Sequence, residues 1–342
     1  MINSNLKIDK FETEKSPIIN GNEVTFIFKG KAKKVYLAGE YNQWELEDAM
    51  TKLDKEDIWY IDKHFPANAR LDYKYIVDGS WITDPLNENI TTVSAGNVNS
   101  TLIMPEYSSR YQEIINSQVP RGTVINNVKF QSDYMNCEMN YHIYLPNGCE
   151  KENVTHVLYA MDGSDYLNHG KINLVLDYLI HRGEIPPIIA VLADPNDRNK
   201  EYTINRSYYS YTIKELIPYV EANYLNLKNN PERSIIGVSW GGLTAIYLAA
   251  NAPGTFSRLL SQSGSFWPKD WIIFDMVSKA DISNIRFCLQ TGTIQDTEEM
   301  NDEMAKLLED KQCELEYVKY AESHSWFNWK GHLDAGLKTV YS

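Results

Sequence analysis

From Tyr141 to the end of the chain, short apolar runs of strand length alternate with helical segments of ten residues or more, and this alternation leaves few folds open. "YHIYLP" (141–146), "HVLYAMDG" (156–163), "PPIIAVLAD" (186–194), "RSIIGVS" (233–239), "IRFCLQTGT" (285–293) and "CELEYVKY" (313–320) read as strands. Between and after them, "NLVLDYLIHRGE" (173–184), "YSYTIKELIPYVEANYL" (209–225), "GGLTAIYLAANA" (241–252), "TEEMNDEMAKLLEDK" (297–311) and "WKGHLDAGLKTVY" (329–341) read as helices. Strands that follow one another only through a helix must run mostly parallel, and a parallel sheet needs helices over both faces to bury it. The pattern predicts an α/β domain with a mostly parallel sheet.

The front of the chain has a different grammar. "EVTFIFKG" (23–30), "KKVYLAGEY" (33–41), "IWYIDKHF" (58–65), "LDYKYIVDG" (71–79) and "NSTLIMP" (99–105) alternate apolar and polar residues, with turns rather than helices between them. Such spacing predicts a small immunoglobulin-like β-sandwich ahead of the α/β domain. We set the sandwich at 1–107, a polar connector containing Pro120 and Gly122 at 108–122, and the α/β domain at 123–342; a chain of 342 residues accommodates both.

With a net charge of −13, the chain lacks the basic surplus that neutralising phosphates demands, which argues against nucleic-acid and anionic-membrane partners. The start, "MINSNLKIDKFETEKSP", has no apolar stretch followed by a small-residue cleavage pattern, and no run is long enough to span a bilayer, so a cytoplasmic location is expected. Cys137, Cys149, Cys288 and Cys313 are scattered and read as free thiols.

The chemistry concentrates at Gly237-Val238-Ser239-Trp240-Gly241-Gly242, where a strand ends and a helix begins. A Gly-x-Ser-x-Gly turn in that context presents its serine on a sharp, strained bend, and glycines on either side leave room for it. The Trp240 amide, first in the helix, then faces an oxyanion forming beside Ser239 Oγ. Serine needs a base, and in this fold the order is serine, acid, histidine. Two histidines follow Ser239. His324 lies just after the last strand and is the expected base; His332 falls on the final helix as a surface or packing residue. For the acid, the loop after "IRFCLQTG" offers Asp296, nearest the strand end, with Glu298, Glu299 and Asp302 beyond it in what reads as the first turns of a helix. Asp296 is the choice, with Glu298, Asp302 or a Ser–His dyad left open. A second oxyanion amide is expected from "AMDGSDYL" at Ser164, although Asp162-Gly163 also reads as an ordinary turn.

Residues from about 120 to 340 resemble the esterase D-type family, specifically its enterochelin (ferric siderophore) esterase branch. The resemblance rests on "IIGVSWGGLTAIYLAANAPGTFSRLLSQSGSFW" (235–267), "DRNKEYTINRSYYSYTIKELIPYVEANY" (197–224), "AMDGSDYL" (160–167) and "SHSWFNWKGHLDAGL" (323–337). It implies an α/β-hydrolase that cleaves carboxylic esters through an acyl-serine, with no metal or organic cofactor, on a small-molecule ester: a trilactone of catecholate amides in the siderophore branch. Trp267, Tyr166 and Trp326 could line a pocket for aromatic rings, as could Trp240, although packing accounts for each ring except Trp267. Arg198 could orient substrate or simply pair with Glu201. Two departures stand out. Glu322-Ser323-His324-Ser325 replaces the family's Gly-Gly-His-Asp, and Gln295 occupies the usual position of the acid, one residue before Asp296.

"VYLAGEYNQW" (35–44) and the strands after it are similar to the glycogen-binding type of β-sandwich. In sugar-binding members of that group the contact positions correspond here to Trp44, Lys74, Trp81 and Asn99, with Ala95 at the apolar finger. The two tryptophans also belong to the fold's structural motifs, so glycan binding and an architectural or lid role both remain open. Carbohydrate esterases acting on feruloyl or acetyl groups pair such a sandwich with this hydrolase type and form the alternative to a siderophore esterase. A non-catalytic glycan-binding protein is the third reading.

Overall fold

The computed structural model describes residues 15–342 apart from 54–56, 95, 149–153 and 225–230, and it divides into two compact units. The first comprises 1–108 with the short later segments 293–295 and 321–323; the second comprises 109–292, 296–320 and 324–342. Cys149 and Ala95 lie outside the described residues, as does most of the N-terminal stretch read for a leader.

The first unit is built from β1 (Ile18–Asn20), β2 (Glu23–Lys29), β3 (Val35–Gly39), β4 (Asp48–Ala49), β5 (Thr51–Lys52), β6 (Ile58–His64), β7 (Arg70–Val77), β8 (Ser80–Ile82), β9 (Ile90–Ser94) and β10 (Asn97–Ile103). One sheet runs β1-β2-β6-β5; the other runs β4-β3-β7-β10-β9, with β8 paired to β7. Every pairing is antiparallel. The core between the sheets holds Val24, Phe26, Leu37, Leu71, Tyr73 and Leu102, all fully buried. Phe26 meets Tyr73 edge-on with ring centroids 4.8 Å apart.

The second unit is an eight-stranded sheet of β11 (Thr123–Ser132), β12 (Cys137–Leu145), β13 (His156–Met161), β14 (Ile188–Asp194), β15 (Glu232–Val238), β16 (Arg258–Gln262), β17 (Arg286–Gly292) and β18 (Glu314–Tyr320). Its order is β11-β12-β14-β13-β15-β16-β17-β18. The first two pairings are antiparallel and the rest parallel, giving an α/β-hydrolase sheet. The helices cover both faces, so successive residues of a central strand enter different cores. Ile235 packs with Leu243, Ile246 and Leu259 on one face, and Ile236 packs with Leu158, Leu260 and Leu337 on the other. Each such fully buried side chain contributes roughly 1.5–3 kcal/mol. Because the strands from β13 to β18 all run the same way, the loops at their carboxyl ends gather on one edge of the sheet, where α/β folds place their sites.

The stretch read as a connector is not a free linker. Within it, α1 (Tyr111–Ile115) forms a short helix with Tyr111 and Ile114 buried. Ile114 belongs to the same core as Leu176 and Leu179, so the second unit begins at Ser109. Five residues are too few to register as a helical period, which is why the pattern passed for a loop.

Candidate active site

Ser239 is the joint between β15 and α2 (Trp240–Asn251), with φ 56° and ψ −120°. A side chain bearing a Cβ enters that half of the map at a cost of about 1–3 kcal/mol, so the neighbours must hold it there. Its amide donates to the Gln262 carbonyl at 2.9 Å, and its carbonyl accepts from the amides of Leu243 (3.2 Å) and Ser265 (3.1 Å). A Cβ on Gly237 would lie 2.2 Å from the backbone carbon and oxygen of Gly241, and one on Gly242 would lie 2.5 Å from Ser261 Oγ. Strand and helix can therefore meet at this angle only with glycine at both places.

The loop after β18 brings His324 to the serine, with Nε2 3.0 Å from Ser239 Oγ. On the other side of the ring, Nδ1 lies 2.7 Å from Asp296 Oδ1. Asp296 also accepts hydrogen bonds from Ser263 Oγ (2.6 Å) and from the amides of Gly292 (2.6 Å) and Thr297 (2.7 Å). Burial works against its charge, but the hydrogen bond and charge of His324 and the Ser263 hydroxyl outweigh it and hold the carboxyl below the usual range. An ionised Asp296 keeps the imidazole proton on Nδ1 and leaves Nε2 free to take the serine proton. The arrangement can generate a serine alkoxide and stabilise the imidazolium that results. Gln295, at φ 49°, turns the chain in the left-handed sense just before Asp296. Glu298 and Asp302 instead bind Lys319 at 2.9 Å and 2.7 Å.

Other residues around this pair went unnoticed in the sequence. Trp329 stands edge-on to His324 at 5.0 Å and donates Nε1–H to Ser263 Oγ at 2.8 Å, and Ser263 then donates to Asp296. Ser265 Oγ lies 3.2 Å from Ser239 Oγ. The run Ser261-Gln262-Ser263-Gly264-Ser265 was the available signal, since so many hydroxyls at a strand end need partners.

Several expectations need correction. The Ser164 amide donates to Asp194 Oδ1 at 2.6 Å and is engaged there. Tyr166 lines no open pocket: it is fully buried, and its hydroxyl donates to Gln262 Oε1 at 3.1 Å. Trp326 packs edge-on against that ring at 5.3 Å. Arg198 does not pair with Glu201. Its guanidinium forks onto Asp162 at 2.8 and 2.9 Å, while Glu201 accepts the Asn196 and Asp197 amides. His332, read as a surface or packing residue, is a packing one: it is buried and stacked flat on Tyr320. Trp267 is 49% exposed, 5.4 Å from the Trp240 ring. The Trp240 amide lies in the first turn of α2, where the helix supplies no acceptor.

In the first unit, Trp44 and Trp81 lie 6.2 Å apart, with Trp81 46% exposed, and Lys74 Nζ donates to Asn97 Oδ1. Asn99 is buried and donates to Asp72 Oδ2 at 3.3 Å, so it is not presented to a sugar. Cys137, Cys288 and Cys313 are free thiols, and burial pushes Cys288 up to about 12. Among the described residues no acidic, histidine and cysteine cluster of metal-binding size occurs, and no helix is long and apolar enough to cross a membrane.

Comparison with known proteins places these features. Residues 132–340 match the family model described as "Putative esterase", and residues 22–108 match the glycogen recognition site of AMP-activated protein kinase. The iron(III) enterobactin esterase of Escherichia coli O6:H1 is 22% identical over 89% of this chain and 84% of its own length. A solved structure of the enterobactin esterase of Shigella flexneri, determined in the presence of enterobactin, superposes with a TM-score of 0.73 at 21% identity, covering 93% of this chain and 92% of that one. An endo-1,4-beta-xylanase/feruloyl esterase of Xylanibacter ruminicola is 24% identical over 64% of this chain and 32% of its own length.

Proposed function

The chain belongs to the esterase family matched over residues 132–340, and we propose that it hydrolyses esters by a serine mechanism in which Ser239 is the nucleophile, His324 the general base and Asp296 the acid that orients it. The observation that carries this reading is the unbroken series of contacts from Ser239 Oγ through both nitrogens of His324 to Asp296, at 3.0 and 2.7 Å. Ser239 Oγ attacks the ester carbonyl carbon as its proton passes to His324 Nε2. The carbonyl π electrons move to oxygen, which faces the Trp240 amide at the positive end of α2. Collapse of the tetrahedral species breaks the carbon–oxygen bond, and the departing alcohol takes the proton from His324. A water then gives its proton to Nε2 as it attacks the acyl-serine, and collapse releases the acid and restores Ser239.

The substrate we propose is a trilactone siderophore of catecholate type, whose bound iron is cargo and whose cleavage in the cytoplasm would weaken the hold on it. Support comes from the enterobactin esterases of Escherichia coli O6:H1 and Shigella flexneri, which resemble this chain along most of their length, and from the exposed Trp267 ring beside Trp240, an apolar face for a planar catechol. An acylated sugar is the second reading, favoured by the feruloyl esterase relative.

Labelling with a fluorophosphonate, mapped by mass spectrometry, tests both steps. We expect the label on Ser239 and its suppression by a ferric trilactone. Suppression only by feruloylated or acetylated sugars would move the substrate to the second reading. An unlabelled Ser239 in folded protein would end the serine mechanism.

A further inference from the structure

A second cluster of serine, histidine and aspartate lies in the same unit and shares no residue with the first. Asp194, the last residue of β14, accepts the Ser164 amide on Oδ1 (2.6 Å) and the Ser164 hydroxyl on Oδ2 (2.7 Å). Oδ2 also receives Asn140 Nδ2 at 2.7 Å and His142 Nε2 at 3.1 Å. Because the Asp194 carboxylate only accepts, the Nε2 that faces it carries a proton; on the other side of the ring, Nδ1 lies 3.2 Å from the Asn127 amide and 3.1 Å from Asn126 Oδ1. Nε2–H then faces both Asp194 Oδ2 and Ser164 Oγ, the latter at 3.0 Å. A proton relay uses the two ring nitrogens in series. Here one nitrogen meets both partners and the hydroxyl donates to the carboxylate, so the trio cannot activate Ser164. It can only hold it.

What it holds is the turn after β13. Asp162 is in the left-handed region at φ 60°, ψ 50°, and a Cβ on Gly163 would lie 2.2 Å from the Leu192 carbonyl carbon, so the turn is pressed against β14. On its other side the turn meets the residues that flank the nucleophile, Val238 through Arg198 and Gly241 directly. The Asp162 carboxylate takes the Arg198 fork, and Arg198 Nη2 also reaches the carbonyl of Val238, the residue before Ser239, at 3.3 Å. A Cβ on Gly241 would lie 2.9 Å from Asp162 Oδ2. Among the described residues the Gly163 amide meets no acceptor, whereas that of Ser164 is engaged.

We propose that Asp194 and His142 are positioning residues for the ester hydrolysis: by fixing Ser164 they set the Asp162–Gly163 peptide against the Ser239 turn, with the Gly163 amide as the open donor of that turn. This rests on the serine-esterase reading. An amide that stabilises an oxyanion acts only if it is placed to within about 0.5 Å, and an unpaired strained turn would not keep that tolerance. Burial opposes the Asp194 charge, yet the hydrogen bonds of His142 and Ser164 hold its carboxyl below the usual range, so the clamp stays charged at neutral pH.

The test uses Asp194→Asn and His142→Gln in the full chain, with p-nitrophenyl acetate as substrate and phenylboronic acid as the tetrahedral mimic. Asparagine would turn an amide NH2 or a neutral oxygen towards three donors. We expect kcat to fall about 10–100-fold for Asp194→Asn and less for His142→Gln, with KM within about twofold, because loosening a donor costs less than the 100–1,000-fold of removing one. The boronate inhibition constant should rise in proportion to the loss in kcat. A purely structural role would lower the melting temperature and leave kcat per folded molecule and the boronate constant unchanged; a substrate contact would raise KM alone. Either result overturns the proposal. If Asp194→Asn does not fold, His142→Gln and Ser164→Ala carry the same readouts. Wild-type protein with neither turnover nor a labelled Ser239 would remove the esterase reading and this proposal together, whereas active wild type with unaltered variants would remove this proposal alone.

Discussion

Asp296 in the second unit and Glu40 in the first are both carboxylates withdrawn from water, yet their acidities move in opposite directions. Asp296 falls below the ordinary range despite its burial, because His324, the Ser263 hydroxyl and two backbone amides all point at it. Glu40 rises to about 7. Burial is the main cause, and the neighbouring Asp72 charge adds to it; Arg70 opposes both from 4.0 Å, but it makes its close contact, at 2.8 Å, with Asp72. The Asp72 amide donates to Glu40 at 2.7 Å and the Ser323 hydroxyl donates as well, and the two neutral donors are not enough to keep it charged. Burial alone therefore does not decide whether a carboxylate stays ionised; the number and charge of the donors aimed at it do. The second unit converges donors where a fixed charge would serve chemistry. The first leaves an acid that holds its proton near neutrality.

The largest break in that contrast is Ser239→Ala. It should lower kcat by about 10⁶-fold and leave the melting temperature within a degree or two, since a single hydroxyl contributes little to folding. Activity that survives above a thousandth of wild type would place the nucleophile elsewhere. Next in size is Asp296→Asn. An amide in place of the carboxylate stabilises the wrong imidazole tautomer, and kcat should fall about 10⁴-fold with the packing kept. A loss under tenfold, measured beside Glu298→Gln and Asp302→Asn, would mean that the well-supported charge at 296 is structural.

How much of this could be read beforehand follows from how local each signal is. The strand–turn–helix at Ser239 was legible because β15 and α2 meet within six residues, with Gly237 pressed on the Gly241 backbone and Gly242 on the Ser261 hydroxyl. The α/β order was legible for the same reason in the six strands that carry their own apolar run; β11, whose residues alternate polar and half-buried, and the five-residue β16 were not read as strands. Tyr166 stayed between pocket and packing because sequence puts it two residues beyond Ser164 without saying that a short helix turns its ring into the core. Asn99 and Arg198 failed similarly, since their partners Asp72 and Asp162 are 27 and 36 positions away. The line from Trp329 through Ser263 to Asp296 joins a short helix and two loops, and no spacing announces it.

The smallest expected effect lies in the first unit and is one of stability. Glu40 has a folded value near 7 against an ordinary 4.5, so the folded chain keeps the proton longer than the unfolded chain does. Between these values the native state binds more protons, and stability falls as pH rises from about 4.5 through about 7, then levels off. For Asp296 the sign is reversed: its contribution is present above the ordinary carboxylate value of 3.8 and is lost only as pH falls through the lower folded one. Glu40→Gln keeps an acceptor for the Asp72 amide but cannot ionise. At 1.36 kcal/mol per pKa unit the variant should exceed wild type by no more than roughly 3–4 kcal/mol at pH 8 and converge with it below about pH 4.5. Hydrogen exchange of the β7 amides, corrected for intrinsic rate, reads this unit apart from the other. Wild-type protection that stays flat from pH 5 to 8, or a Gln variant that tracks it, would mean that Glu40 is ionised after all and that Arg70 serves both carboxylates.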